Sequence, residues 1–351
     1  MIDVNRQGEI WVFAEAEDGR LSDVPLELLG KGRQLAELLH VPLAAILLGA
    51  PGVGALADRL VACGTDKVYV AAHEKLAHYQ AVPYVRVICH LIHQQAPQIV
   101  LYGATPMGRD LAPTVASAAK CGLTADCTDL QIGDHKPPGS ENVHKNLMFQ
   151  IRPAFGGNII ATIVNYDRWP QMATVREGVM VMPQDQQGRT GQIVTAEVRE
   201  VLKDVDSPLE ILESLRRDKK VNLKAARAIV AGGAGVGSRE NFQLIWDLAN
   251  CLGAAVGGSR AAVDLGFVDH DHQVGQTGTT VRPALYVACG ISGAVQHRAG
   301  MQEASRILAI NTDCDAPVFQ VAHMGIVGDM NVVIPKLIKA IRHGASESVL
   351  A

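Results

Sequence analysis

The sequence predicts an α/β protein of two domains, each built on a parallel, doubly wound sheet. Three observations lead there. The chain has 351 residues, too many for one ordinary core. Short apolar runs alternate with segments of helical apolar spacing in both halves, and glycine-rich turns follow several of those runs. Apolar residues make up 48% and charged residues 19%, which suits well-buried sheets.

In the first half Ile10–Ala14 reads as a strand, Leu26–Leu39 as a helix and Pro42–Leu48 as the next strand. Val53–Cys63 follows as a helix, Lys67–Ala71 as a strand, Val82–Gln95 as a helix and Gln98–Tyr102 as a buried strand. A turn after Gly103 then feeds a helix from about Gly108 to Lys120. Between 128 and 200 the pattern changes. Thr128–Ile132, Met148–Pro153, Ile159–Val164, Gln171–Val175 and Thr195–Val201 read as strands joined by Gly/Pro-rich turns. They are extra, antiparallel additions to the same domain.

Asp204–Lys220 is charged and contains Ser207-Pro208, so it reads as a linker helix or hinge, dividing the chain into 1–204 and 205–351. Beyond it Ala228–Ala231 reads as a strand, Asn241–Leu252 as a helix, and Ala254–Val256, Ala284–Ala288, Ile307–Ile310 and Val318–Val321 as strands. Val332–Ile341 closes the chain as a helix.

Composition removes several function classes. The net charge is -4, no basic run exists and aromatics are 4%, so nucleic acid is not an expected partner. No 18-residue apolar stretch occurs, so no membrane span is expected. The N-terminus lacks the basic start and apolar stretch of a secretory signal, which with seven cysteines and no Cys-x-x-Cys pair suggests a cytoplasmic protein. Neither a disulfide frame nor a metal site is expected.

The chemistry concentrates in 254–331. Gly-Gly-Ala-Gly-Val-Gly-Ser-Arg (232–239) fails the dinucleotide fingerprint, since glycines fall at one, three and five from Gly233. That disfavours a self-contained NAD-dependent dehydrogenase. A turn so rich in glycine still admits a cofactor close to the backbone. Ser292-Gly293-Ala294 joins a buried strand to a helix, a seat for phosphate or simply an N-cap. Gln273–Gly278 is a polar, glycine-rich turn that suits a ligand or an ordinary surface loop. Arg260, among Val256, Gly257, Ala261, Ala262 and Val263, is expected to have a fixed, partly buried partner. His297 falls one turn into the helix after Ser292, a ligand contact or a satisfied structural histidine.

Val-Gly-Gly-Ser-Arg-Ala-Ala-Val-Asp (256–264), Gln-Val-Gly-Gln-Thr-Gly (273–278), Val-Arg-Pro-Ala-Leu-Tyr (281–286), Gly-Ile-Ser-Gly-Ala-Val-Gln-His (290–297) and Gly-Ile-Val-Gly-Asp (325–329) form a specific set. Gly-Arg-Asp-Leu-Ala-Pro (108–113) and Gly-Leu-Thr-Ala-Asp-Cys-Thr (122–128) extend it. With these motifs the chain resembles the α subunit of electron transfer flavoprotein over essentially its whole length.

The resemblance implies a Rossmann-like C-terminal domain that binds FAD. Ser259 and Arg260 match a Ser-Arg pair whose arginine lies beside the flavin ring. Gln273, Val274, Gly275, Gln276, Thr277 and Gly278 match the loop at the ring, with the threonine hydroxyl near N5. Ser292, Gly293, Ala294, Val295 and Gln296 match the helix start at the pyrophosphate and ribityl chain, and His297 a histidine near the C2 carbonyl. Asn311 and Asp329 match positions on the adenosine side. Arg260, Thr277 and His297 would tune the ring, favouring the negative charge it gains on reduction.

The chain departs from the family pattern at Ala234 and Thr279, where Arg and Lys are usual, and at His323-Met324, which replace Asp-Tyr. The resemblance further implies a β subunit packed on the first domain, where Arg109 and Asp110 serve structure or that interface. It implies exchange of single electrons with an acyl-CoA dehydrogenase or similar flavin dehydrogenase and a quinone-linked acceptor, as in fatty acid oxidation. Residues 122–128 and Arg-Pro-Ala-Phe-Gly-Gly-Asn (152–158) look more like bacterial versions that include electron-bifurcating ones, in which a β-subunit flavin takes electrons from NADH and sends one to ferredoxin. A mobile second domain, swinging about 204–220, would serve either role.

Overall fold

The apolar runs of the first half assemble into a parallel sheet. The computed structural model describes residues 5–348 apart from 18, 155–158, 187, 206–208, 210, 214–220 and 225. Two units emerge, Met1–Ser214 and Leu215–Ala351.

In the first unit β1 (Ile10–Ala14) is followed by a small hairpin, β2 (Ala16–Glu17) and β3 (Arg20–Leu21), then α1 (Asp23–Leu39) and β4 (Leu43–Gly49). Next come α2 (Ala57–Ala62), β5 (Lys67–Ala72), α3 (Ala81–Gln95), β6 (Ile99–Gly103), α4 (Pro106–Ala119) and β7 (Leu123–Cys127). β8 (Asp129–His135), β9 (His144–Ala154), β10 (Ile159–Val164), β11 (Gln171–Val175), β12 (Gln192–Thr195) and α5 (Arg199–Lys203) complete it. The main sheet runs β12-β5-β4-β1-β6-β11-β7, with every pair parallel.

Alternation along β1 sorts its side chains onto two faces. Ile10, Val12 and Ala14 pack with Leu28 and Leu35 of α1 and Leu60 of α2. Trp11 and Phe13 pack with Val87 and Leu91 of α3 and Leu111 and Val115 of α4. The antiparallel addition is a separate sheet, β10-β9-β8. β11 is not part of it. It lies within the parallel sheet, which explains its five consecutive buried residues.

Two expectations on this unit need correction. The strand expected at Thr195–Val201 ends at Thr195, and α5 follows at Arg199–Lys203. Val198, Leu202 and Val205 are buried at spacings of four and three, a helical period hidden in a β-branched run. β7 escaped notice because Asp126 has φ +61° and the register shifts there, which breaks its alternation. Ser207-Pro208 and most of the expected hinge lie outside the described residues, as do 155–158 of the motif at 152–158.

The second unit holds β13 (Ala228–Gly232), α6 (Gln243–Leu252), β14 (Ala255–Gly258), α7 (Arg260–Asp264) and β15 (Leu285–Cys289). α8 (Val295–Arg298), β16 (Ile307–Asn311), β17 (Met324–Val327) and α9 (Met330–Ser348) follow. Its parallel sheet runs β14-β13-β15-β16-β17. The chain leaves β13 to one side for β14 and passes to the other for β15, so a crevice opens at their carboxyl ends. One face packs Ile229, Ala231, Tyr286 and Ala288; the other packs Val230, Val287 and Ile310 against Phe242, Ile245 and Ile334.

The strand expected at Val318–Val321 is instead a single 3-10 turn, Pro317–Gln320. Pro317 at its first position pre-sets the helical φ, and only Val318 is fully buried. The true edge strand, β17, begins at Met324.

Phe242, the N-cap residue of α6, is buried beneath β13. Phe242→Ala is expected to lower stability by about 3–5 kcal/mol, read as a reduced urea midpoint; a shift no larger than that of a surface variant would contradict this packing.

Candidate functional site

The carboxyl ends of the second unit's strands converge on a cleft of about 550 Å³. The turn after β13 contributes Ala234 and Gly235, and the one after β14 contributes Ser259, Arg260, Ala261 and Asp264. Gly290, Ile291, Ser292, Ala294, Gln296 and His297 follow β15, while Asn311, Asp313 and Ala316 come from β16 and beyond. The Gln273–Thr277 segment forms the remaining wall. This is the switch point of the sheet, where open α/β sheets bind ligands.

Backbone meets backbone at its floor. Gly235 N donates to the Gly290 carbonyl at 3.0 Å. A Cβ on Gly235 would lie 2.8 Å from that same oxygen, and Gly290 itself has φ +60°. Larger residues would force the two turns apart. Among the described residues, the N–H groups of Ala234, Ser292 and Ala294 have no hydrogen-bond partner. Such N–H groups suit an anionic group, although α8 is only four residues long and brings little dipole. Ala294, not Ser292, occupies the N-cap, so the Ser292 hydroxyl is not consumed in capping. It lies exposed on the cleft.

The opposite wall is held by its own hydrogen bonds. Gln276 N donates to the Gln296 carbonyl at 2.8 Å, and Thr279 N to the Gln273 carbonyl at 2.7 Å. Buried Gln273 donates from Nε2 to Thr277 Oγ1 at 3.0 Å. The threonine oxygen accepts there, which leaves its own proton available to the cleft.

Arg260 differs from expectation. Its guanidinium is exposed, and its partner is Asp264 one turn on, at 3.5 Å. The turn of helix that starts at Arg260 carries the side chain outward, so the apolar neighbours do not enclose it. Ser259, buried behind it, caps that turn by accepting from Ala262 N. An exposed pair of this kind is worth roughly 0.5 kcal/mol, so Arg260 exchanges partners readily.

His297 is buried. Its Nε2 lies 3.0 Å from the hydroxyl of buried Tyr286, and among the described residues its buried Nδ1 has no hydrogen-bond partner of normal geometry. Burial pushes the imidazole down to about 4, with the Val274 backbone opposing weakly. It is neutral at pH 7, so Arg260 is the cleft's cation.

The cleft thus gathers Ser259, Arg260, Gln273, Val274, Gly275, Gln276, Thr277, Ser292, Ala294, Gln296, His297 and Asn311 from the expected set. Gly278, Gly293, Val295 and Asp329 do not line it. Gly278 and Gly293 lie against the backbone of Gln273 and Val318, where no side chain fits. Asp329 accepts from Asn331 N at 2.8 Å and starts α9. Asn311 donates to the Ile291 carbonyl at 3.0 Å, fixing the lip after β15. Sequence reading missed Asp264 and Asp313; the four-residue spacing from Arg260 was the available signal for the first.

Of the positions expected to depart from the resembled pattern, Ala234 lines the cleft. His323 Nδ1 accepts from Ile307 N at 3.1 Å at the base of β16. In the first unit the corresponding edge is used up internally. Thr105 caps α4 and donates to Glu15 at 2.6 Å. Arg109 donates to the Ala104 carbonyl at 2.7 Å, and Tyr79 to Asp110 at 2.6 Å.

Comparison with known proteins fits this division. Residues 10–201 match the family described as the electron transfer flavoprotein domain, and residues 222–302 match the electron transfer flavoprotein FAD-binding domain. The chain is 46% identical to the electron transfer flavoprotein subunit alpha of Clostridium acetobutylicum, over 95% of this chain and 96% of that one. It is 43% identical to protein FixB of Azotobacter vinelandii, over 95% and 91%. With the acryloyl-CoA reductase electron transfer subunit beta of Anaerotignum propionicum it shares 40% identity, over 97% and 98%. Among the described residues no helix is long and apolar enough to cross a membrane.

The buried His297 makes stability pH-dependent. Its folded value of about 4 lies below the ordinary 6.5, so between these values the unfolded chain holds more protons. The stability of the neutral form is complete above about pH 6.5 and falls as pH drops toward 4, by about 3 kcal/mol at about 1.4 kcal/mol per unit. Urea unfolding between pH 7 and 4 reads this, and His297→Gln is expected to remove that share of the slope. An unchanged slope would refute the assignment.

Proposed function

The chain belongs to the electron transfer flavoprotein α-subunit family, and we propose that its second unit holds FAD in the cleft between β13 and β15 and carries single electrons. The flavin supplies one-electron redox chemistry when bound. The observation that carries this reading is His297, a buried neutral imidazole on the cleft wall with one nitrogen unpartnered. A buried polar atom of that kind, on a cleft wall, suits a bound acceptor or donor.

The other residues fit the same ligand. The backbone crossing of Gly235 and Gly290, with the free N–H groups of Ala234, Ser292 and Ala294, suits a pyrophosphate. Arg260, bound only weakly by Asp264, would offer positive charge to a flavin ring as it gains negative charge. Thr277, its oxygen engaged by Gln273, offers a hydroxyl proton of set direction. Ala234 brings no charge, so the phosphates would rely on backbone donors.

We assign the chain a β subunit as its partner, seated against the first unit, and a flavin dehydrogenase of the acyl-CoA type as an exchange partner. The relative named as an electron transfer subunit of an acryloyl-CoA reductase supports that class. The likeness of 122–128 and 152–158 to bacterial versions that include bifurcating ones extends the proposal to an NADH-driven complex with ferredoxin as second acceptor.

The test is the complex of this chain with its β subunit. A flavin spectrum tied to this chain is expected, and Arg260→Ala should lower its first one-electron midpoint by roughly 60 mV, a tenfold shift in equilibrium. A colourless complex would end the FAD reading, and an unmoved midpoint would remove Arg260 from its role. Reduction by NADH with ferredoxin as acceptor separates the bifurcating version from a simple shuttle.

A further inference from the structure

We propose that Tyr286 is a positioning residue for the cleft: its hydroxyl donates to His297 Nε2 and so holds the imidazole as the Nδ1–H tautomer, a fixed donor on the buried wall. The inference rests on the reading of the cleft as a flavin site and adds the residue that directs one of its donors.

Tyr286 sits on β15 with its side chain fully buried, among Ile229, Ala288 and Met301. Among the described residues its hydroxyl has one partner, His297 Nε2, at 3.0 Å. The phenol stays protonated, because burial holds its pKa well above the ordinary value. Its proton needs an acceptor, and Nε2 is the one within reach. In the opposite arrangement Nε2–H would donate to the phenol oxygen. The phenol proton would then be buried without a partner, and Nδ1 would present a lone pair beside a backbone that favours a proton on the ring. The first arrangement puts the proton on Nδ1, the form the Val274 backbone favours, on a residue that lines the cleft. An acceptor on a bound ligand would add a hydrogen bond of full geometry there.

The role differs from that of an ordinary core tyrosine. Phenylalanine would fill nearly the same space, so packing alone predicts a silent change. A tautomer-setting hydroxyl predicts a change in which nitrogen carries the proton.

The experiment uses the full-length chain with 15N-labelled histidine, comparing the wild type, Tyr286→Phe and His297→Gln, the last to identify the resonances. Two-bond 15N–1H spectra at pH 7 report which ring nitrogen is protonated. The wild type is expected to show protonated Nδ1, with a coupling between the Tyr286 hydroxyl proton and Nε2. Tyr286→Phe should redistribute the proton between the two nitrogens and weaken FAD binding about tenfold, the scale of one hydrogen bond. A wild type protonated at Nε2, or a Tyr286→Phe protein still purely Nδ1–H, would overturn the proposal. Should the variant fail to fold, the wild-type coupling decides: its presence supports the proposal and its absence overturns it. A chain with the expected tautomer that binds no FAD would defeat the flavin reading and leave this assignment standing.

Discussion

Everything at the cleft depends on the reversal of strand order between β13 and β15, and on the bare backbone that lets their two turns touch. Gly235 and Gly290 meet through a hydrogen bond of 3.0 Å where side chains would collide. That contact sets the floor of the crevice and, among the described residues, leaves the N–H groups of Ala234, Ser292 and Ala294 unclaimed. The wall at 273–279 closes on it through loop-to-loop hydrogen bonds, not through packing of large side chains. A cradle of backbone and small side chains results, with few charges of its own.

Those few charges are arranged by depth. His297 lies in the wall and is kept neutral by burial, whereas Arg260 lies at the rim and keeps its charge in water. Neutral donor inside and movable cation outside is an arrangement suited to a ring whose charge changes during its work. The first unit has the same sheet logic, yet Glu15 and Thr105 occupy the corresponding edge beside β1 and β6. A carboxylate at the start of α4 leaves that helix terminus unsuited to another anion.

Much of this was legible in the sequence. Parallel strands buried on both faces announce themselves as continuous apolar runs, as β4 does over seven residues. The glycine-rich turns after β13, β14 and β15 marked the cleft, and twelve of the sixteen expected contacts line it. What failed did so for physical reasons. Val198 and Val201 read as strand because β-branched neighbours mask a helical period, and Val318 did because a run of four apolar and amide residues hides a proline-set turn. Arg260 was expected to be enclosed because its neighbours in sequence are apolar, but a single turn of helix carries it outward. The Tyr286–His297 pair spans eleven residues and two elements, a relation that only the folded chain reveals.

The most direct measurement is hydrogen exchange of the full chain, assembled with its β subunit, with and without FAD. The account predicts slowed exchange at Ala234, at Gln276–Gly278 and at Ser292–Ala294, with the Gly103–Gly108 turn of the first unit unchanged. Protection at that first-unit turn, or none anywhere along the cleft, would contradict it.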